Sequence, residues 1–329
     1  MLKDKWKKNR HKVAFYLKGV SEIGLPRRYY IHQKRQYFRD VINTRSAEDI
    51  DDIRQRVNYY NQCQNKTPIA AGAQTAGEFV RGKSWAYYID MKKYLLAFDP
   101  ALQFFYQPGD VRTVPEKPTF LKSRPISDAN QTSVLLKLNR IRHYFFVKDN
   151  QSFEEKKGLL VWRGACHREH RQNFVKRFHR HPLCDIGDSH QKFSHEDWHK
   201  GFLSISQQLG YKFILSIEGN DVATNLKWIM ASNSLCFMTR PRFETWFMEG
   251  ALVPGHHYVA LADDYSDLDE KIQYYLDHPV EAKGIIANAN HYVKDFMDEP
   301  REHLIGLLVM QKYFEKTGQV APLGLGVWE

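Results

Sequence analysis

The sequence predicts an α/β protein built on a parallel sheet, with room for two compact cores. Three observations carry this. From Gly158 onward, short apolar runs of strand length alternate with helix-length segments, the spacing of strand–helix–strand crossovers. The runs at 159–162, 213–217 and 235–239 are nearly continuous in apolar residues, as strands covered on both faces are. The chain has 329 residues, 43% hydrophobic and 14% aromatic, which is the composition of a globular protein long enough for two domains.

In chain order, residues 1–40 hold twelve Lys or Arg against three Asp or Glu, nine of the ten net positive charges of the whole chain. Trp6, Phe15, Tyr16, Tyr29, Tyr30, Tyr37 and Phe38 are interleaved with them. Two readings stand side by side: a segment that lies on an anionic surface, or a solvated helical face with its aromatics turned inward. Residues 47–64 predict a helix with Ile50, Ile53, Val57 and Tyr60 on one face. A helix and a strand follow within 86–106. Residues 107–126 contain Pro108, Pro115, Pro118 and Pro125, which forbid a long helix and predict loops of the kind that carry sites. Residues 131–148 return to strand or short-helix character.

The second half opens with the strand 159–162, ended by Arg163-Gly164, and a basic helix over 168–179. A polar stretch precedes the strand 213–217. The turn Gly219-Asn220-Asp221 is expected to deliver the chain into a helix over 222–232, whose N-terminus would welcome an anion. The strand 235–239, a helix over 243–251, a strand over 257–261 and helices near 266–277 and 280–296 complete the alternation. A last amphipathic helix over 302–316 is expected to pack back across the first domain. The division expected is 1–155, 156–296 and 297–329.

Several classes are excluded or disfavoured. No apolar run approaches the roughly 20 residues of a membrane helix. The basic start MLKDKWKKNRHK is not followed by an apolar core, so a secretory leader is not expected. The end Gly-Val-Trp-Glu is no retention signal. Cys63, Cys166, Cys184 and Cys236 form no Cys-x-x-Cys pair and read as reduced, buried thiols. There is no Walker loop, no Gly-x-Gly-x-x-Gly and no Gly-x-Ser-x-Gly. Seven histidines between 167 and 199 raise a metal site, but no His-Glu-x-x-His accompanies them, and Asp-x-Asp is absent from strand ends of the second half. A nucleic-acid-binding protein using the basic N-terminal segment is an alternative from another class, without a recognition helix, zinc-finger or RNP signature to support it.

Ligands of open α/β sheets bind beyond the carboxyl ends of the strands. Two such ends here carry residues suited to phosphate. One is Trp162-Arg163-Gly164 with Arg168 and Arg171 on the following helix, since guanidinium forks match phosphate oxygens. The other is Gly219-Asn220-Asp221 with Asn225 and Lys227. Together they are expected to hold a diphosphate. The bland alternative pairs the arginines with surface carboxylates.

At these positions the chain resembles glycosyltransferase family 90. The matching residues are Trp162-Arg163-Gly164 with Arg171, and Tyr211-Lys212-Phe213-Ile214 through Glu218-Gly219-Asn220, Lys227 and Ser232-Asn233-Ser234. Leu252, Pro254, His257, Tyr258 and Val259 continue the order, followed by Asp264, Asp267 and Leu268. The likeness spans about residues 105–296, and Lys122-Ser123-Arg124-Pro125-Ile126 fits the bacterial lipopolysaccharide-core branch. The resemblance implies a GT-B architecture of two Rossmann-like domains facing a cleft. It implies a UDP-hexose donor (glucose or galactose) held by the C-terminal domain, an inner-core lipopolysaccharide acceptor, and inverting, metal-independent transfer without a cofactor. The expected setting is cytoplasmic, peripheral at the anionic inner membrane surface, with no nucleic acid partner. A capsule polysaccharide or protein hydroxyl is the alternative acceptor.

By the same resemblance, Asp110 in Gly109-Asp110-Val111-Arg112 is the general base, with Asp99 as fallback. Arg163, Gly164, Arg171, Gly219, Asn220, Asp221, Asn225, Lys227, Ser232 and Asn233 fall on the donor, with Glu244 or Glu249 on the ribose. Arg112, Lys122, Ser123 and Arg124 fall on the acceptor side or the cleft. One departure stands out: Asn225 occupies a place where many relatives carry an Arg.

Overall fold

The computed structural model describes residues 2–43 and 45–323, with side chains at 2–11 and 41–43 outside that description. The Gly-Val-Trp-Glu end lies outside the described residues, as does the side chain of Trp6. The chain divides into two units. The first holds Trp6–Ile141, Phe243–Trp246 and the chain from Met297 on; the second holds Arg142–Arg242 and Phe247–Phe296, with the chain up to Lys5.

The first unit begins with α1 (Leu2–Ile23) and α2 (Arg27–Asn43), followed by α3 (Ala47–Tyr60). Ser46 starts α3, its Oγ accepting the Asp49 amide with Glu48 and Asp49 in the positive first turn. Ile53, Val57 and Tyr60 form its buried face, at the spacing read from the sequence. Then come β1 (Gln74–Thr75), α4 (Trp85–Leu95), β2 (Gln103–Gln107), β3 (Thr119–Leu121), β4 (Ser123–Pro125), β5 (Ser133–Leu135) and the short α5 (Arg140–His143). The sheet order is β1-β2-β3-β5, with β2, β3 and β5 parallel and β1 antiparallel to β2. The proline-rich passage thus holds two short strands as well as loops.

The second unit is a five-stranded, wholly parallel sheet. Its elements are β6 (Lys157–Gly164), α6 (Glu169–Phe178), β7 (Cys184–Asp188), α7 (Ile205–Gln208), β8 (Tyr211–Leu215), α8 (Leu226–Met230) and β9 (Leu235–Thr239). β10 (Phe243–Thr245) belongs to the first unit, pairing antiparallel with β4. β11 (Val259–Leu261), α9 (Leu268–Asp277) and α10 (Pro279–Lys294) complete the second. The strand order is β11-β9-β8-β6-β7. Leu160, Val161, Phe213, Ile214, Leu215, Leu235 and Phe237 are fully buried, which accounts for the unbroken apolar runs.

Three expectations are corrected. β7 lies in the stretch read as polar. The segment 243–251 is a strand and a turn of 3₁₀ helix (Glu249–Ala251) rather than one helix, interrupted at Met248 by a left-handed backbone of φ 55°. The helix after the Gly219 turn has only five residues and starts at Leu226, so the turn does not open onto a helix N-terminus.

The last helix, α11 (Glu299–Lys316), belongs to the first unit and packs on α2, α3 and α4. It is buried nearly all round rather than along one stripe. Its polar residues are therefore partnered: Glu302 accepts from Trp246 Nε1 at 2.6 Å and faces Arg56 at 2.6 Å and Lys137 at 3.1 Å.

Candidate active site: two sets of strand ends

In the second unit, the carboxyl ends of β6 and β8 are joined by α6. Gly164 ends β6, and a Cβ there would come within 2.6 Å of the Trp162 ring, so only glycine fits beneath that indole. The first residues of α6 then reach the turn after β8. Arg168, the residue capping α6, donates through Nε to Asn220 Oδ1. The His170 ring meets the Glu218 carbonyl at 2.8 Å.

Arg171 donates through Nε to the Glu218 carbonyl (3.0 Å), through Nη2 to that of Ile217 (2.6 Å) and through Nη1 to that of Ala165 (3.3 Å). Its guanidinium also lies 5.7 Å from the Trp162 ring centre. A Cβ on Gly219 would stand 3.2 Å from Arg171 Nη2, so the turn's backbone lies against the guanidinium. Burial pushes the Arg171 pKa down, while Cys166 and Tyr265 push it up; no carboxylate contributes. Among the described residues, Arg171 forms no ion pair.

The turn is braced on its other side. Arg242 donates to the Glu218 carboxylate from its amide at 3.0 Å and from Nε at 3.1 Å. The Gly219 amide closes on the Asp221 carbonyl at 2.9 Å. Asn225 pins the strand end, donating Nδ2 to the Leu215 carbonyl and accepting Ser216 Oγ at Oδ1. Its amide thus has a structural task at the place where an arginine was expected.

Beside this set, Tyr265 sits at the carboxyl end of β11 with a left-handed backbone, φ 60°, its ring packed 4.5 Å from that of Phe174. Burial pushes its phenol up to about 12. Its hydroxyl takes no hydrogen-bond partner among the described residues. A left-handed tyrosine has no signature in sequence, and the histidine crowd drew attention to metal rather than to His170 alone. Those two residues and Arg242 were missed.

Other expected donor residues lie elsewhere. Arg163 turns back along the sheet to Asp185, 2.6 Å away, and to the Trp162 and Asp185 carbonyls, both at 3.0 Å. Burial opposes ionisation of Asp185, but Arg163, Tyr211 and Lys200 hold its carboxyl down at about 2. Lys227 is fully buried and ion-paired with Glu249, itself fully buried. Each of these two cations is thus paired with a carboxylate inside the second unit. Ser232 and Asn233 precede β9 and so lie at the amino edge of the parallel sheet, opposite Gly164. Ser232 Oγ donates to the Ile229 carbonyl, and Asn233 Nδ2 donates to the Asp149 and Gln151 carbonyls. Glu244 is in the first unit, where it accepts from Arg124 Nε at 2.7 Å and from Tyr59.

The His167 and His190 rings stand 4.3 Å apart, and the other histidines between 167 and 199 pair singly or not at all. His199 Nδ1 meets Asp188 at 3.0 Å, His181 pairs with Asp269 and His179 with Asp197. Burial opposes ionisation of Asp188, but His199 and the Cys166 and His190 amides hold its carboxyl below the usual range. Among the described residues, no group of three or more His, Cys, Asp or Glu is placed to hold a metal ion.

In the first unit, Asp110 follows β2 and Lys122 follows β3, both at carboxyl ends of parallel strands. The Asp110 carboxylate is exposed and takes the Nζ of Lys122, which is almost fully buried, at 2.6 Å. Gly109 before it has φ +104°, a backbone favouring glycine, which sets the direction of the Asp110 loop. Asp99, the fallback, caps a turn through the Ala101 amide at the amino end of β2, the opposite edge of the sheet. Arg112 is exposed, 6.0 Å from the Phe243 ring centre. Ser123 and Arg124 are fully buried. Arg124 donates to the carbonyls of Ser133 (2.8 Å) and Tyr59 (2.7 Å) as well as to Glu244, fastening β10 to β4. They are corrected from cleft residues to core.

A basic, glycine-lined set of strand ends in one unit and an exposed carboxylate in the other suit anion binding and proton transfer. The sequence profile described as Glycosyl transferase family 90 matches residues 138–313. The chain belongs to glycosyltransferase family 90. Relatives within reach of this family 90 chain include the O-glucosyltransferase LpsA of Dichelobacter nodosus, 44% identical over 304 residues, 92% of this chain and 95% of that protein. Protein O-glucosyltransferase 3 of Homo sapiens is 28% identical over 174 residues, half of this chain and 33% of its own length. Protein O-glucosyltransferase 2 of Danio rerio is 29% identical over 177 residues, covering 51% and 34%.

Proposed function

We propose that this family 90 protein is a GT-B-type hexosyltransferase that moves glucose or galactose from a UDP-sugar to an inner-core sugar of lipopolysaccharide, with inversion. The second unit takes the donor and the first unit the acceptor. The observation that carries the donor assignment is Arg171: a half-buried guanidinium at the strand ends, hydrogen-bonded only to backbone carbonyls and forming no ion pair among the described residues. A half-buried charge of that kind is costly unless an opposite charge joins it. A diphosphate supplies one, and Arg168 and His170 meet the same turn. Tyr265 adds a phenol beside it.

Asp110 acts as the base. The acceptor hydroxyl oxygen attacks the anomeric carbon and its proton passes to the Asp110 carboxylate. The bond from that carbon to the diphosphate oxygen breaks, and the electron pair leaves with UDP. Lys122 holds the carboxylate from below and keeps positive charge against it. Arg171 and Arg168 meet the charge that develops on the leaving diphosphate, the task a metal ion performs in other transferases. No metal or cofactor is required in this reading, so chelator should leave the rate unchanged.

The lipopolysaccharide acceptor is favoured by the relative named O-glucosyltransferase LpsA, which aligns along nearly the whole chain, whereas the protein O-glucosyltransferases align over about half. Among the described residues no helix is long and apolar enough to cross a membrane; the setting proposed is cytoplasmic and peripheral at the inner membrane face. The deciding experiment offers a set of UDP-sugars with truncated-core lipopolysaccharide and follows UDP release and product mass. A gain of one hexose from UDP-glucose or UDP-galactose is expected. Transfer only to a peptide or capsule acceptor, or no UDP-sugar turnover with salt-dependent nucleic-acid binding instead, would overturn the reading.

A further inference from the structure

The first helix carries a face that the rest of its unit does not cover. Val13, Tyr16, Leu17 and Val20 recur at three- and four-residue spacing along α1 and are 56%, 36%, 68% and 49% exposed. The opposite side is the packed one. A Cβ on Gly19 would stand 2.6 Å from Ile89, Glu22 pairs with Lys93 at 3.0 Å, and Arg140 lies 5.9 Å from the Phe15 ring centre. The apolar stripe is therefore the outer face of a docked helix. Lys12 and Lys18, both exposed, border it, and exposed Leu25, Arg28 and Tyr29 continue the same mixture into the turn and the start of α2.

We infer that α1 lies in the surface of an anionic phospholipid bilayer, its Val13–Leu17–Val20 stripe inserted at the acyl boundary and its lysines on the headgroups. Charge selects this occupant. Residues 1–40 carry a net charge of +9, from twelve basic and three acidic residues. A second copy of the chain would set that charge against itself. A nucleic acid would match the charge but give the exposed aliphatic side chains nothing to desolvate against. An anionic bilayer satisfies both halves of the face, the apolar stripe and its basic borders. This deepens the membrane part of the proposed function and rests on it only for which leaflet is met.

The test uses the full chain and two vesicle preparations, phosphatidylglycerol with phosphatidylethanolamine in equal parts, and phosphatidylcholine alone. The wild type is expected to sediment with the first, progressively less as salt rises, and hardly with the second. The triple variant Val13→Gln, Leu17→Gln, Val20→Gln keeps helix-forming side chains at exposed positions. It should lower the partition coefficient about a hundredfold, as withdrawing three partly inserted aliphatic groups requires. Its circular dichroism and its transfer to a detergent-solubilised acceptor should match wild type. Unchanged partition in the variant would overturn the inference, as would equal binding to both vesicles. A wild-type dimer that the variant splits, or loss of detergent-phase activity along with vesicle binding, would overturn it too. A wild type that binds anionic vesicles but turns over no UDP-sugar leaves the inference standing and removes the catalytic reading instead.

Discussion

Replacing Arg171 by Met tests the donor site most directly. Met keeps much of the volume of the side-chain stem and removes the charge together with three donors, those to the Ala165, Ile217 and Glu218 carbonyls. Hydrogen bonds from a charged donor are worth about 1.5–3 kcal/mol each, but here they offset the burial of a guanidinium that meets no acid. The net cost to folding should therefore be small, about 1–3 kcal/mol. The cost to UDP binding is set by a different quantity. At about 4 Å and an effective dielectric constant near 20, a guanidinium and a phosphate charge attract by ~4 kcal/mol. Allowing for desolvation of the phosphate, ~2–3 kcal/mol should survive, a loss of about 30- to 150-fold in affinity. Calorimetric titration with UDP, beside a thermal melt of the same sample, reads both quantities. Arg163→Met is the comparator, because its guanidinium is occupied by Asp185 at 2.6 Å. It should lower stability yet change the UDP Kd by less than about threefold. A natively melting Arg171→Met protein with wild-type UDP affinity would refute the reasoning, as would equal losses in both variants.

Asp110→Asn should lower kcat by about 10²–10⁴-fold and leave UDP binding as it was; normal turnover would remove Asp110 as the base. Arg124→Met leaves Glu244 buried without its guanidinium partner and should destabilise the fold by about 3–5 kcal/mol, whereas adding Glu244→Gln should restore much of that; urea denaturation of the single and double variants measures the coupling. The Asp185 carboxyl is held from its ordinary 3.8 down at about 2 in the folded protein. A depressed acid contributes stability above its unfolded pKa and loses it as pH falls, so this contribution should fade between about pH 4 and pH 2, and Arg163→Met should flatten that part of the stability profile.

The parts of the fold legible in sequence were those whose burial leaves a composition signature. β6, β8 and β9 are covered on both faces and show it as unbroken apolar runs. β7 has the same burial but reads Cys-Asp-Ile-Gly-Asp. Its two acids belong there because Asp185 is met by Arg163 and Tyr211, and Asp188 by the Cys166 and His190 amides and His199. Its glycine is needed because a Cβ on Gly187 would come 2.6 Å from the stem of Lys200. Apart from the His190 amide, none of those partners lies within ten residues, so the stretch looks like a loop. Phe243, Trp246 and Phe247 have helical spacing, yet pairing with β4 overrides it, since tertiary contacts outweigh weak local propensity.

The same argument sorts the basic residues of the candidate site. Sequence can say that Arg124, Arg163, Arg171 and Lys227 stand near strand ends or loops, where a cation suggests a phosphate. It cannot say which of them is already neutralised. Arg124 meets Glu244 across 120 positions and Lys227 meets Glu249 across 22, distances over which one chain read alone gives no pairing signal. Arg163 finds Asp185 on a strand that sequence did not reveal. Once these pairs are drawn, three of the four cations are accounted for by the fold itself. Arg171 is left with carbonyl oxygens and the Trp162 ring but no acid, beneath a glycine that brings the backbone against it. A half-buried cation engaged in this way holds two loops together and keeps positive charge for a ligand that arrives with its own negative charge. Under the proposed function Asn225 is compatible with donor binding: the charge expected at its position would come from Arg171 and Arg168, while Asn225 fixes the end of β8.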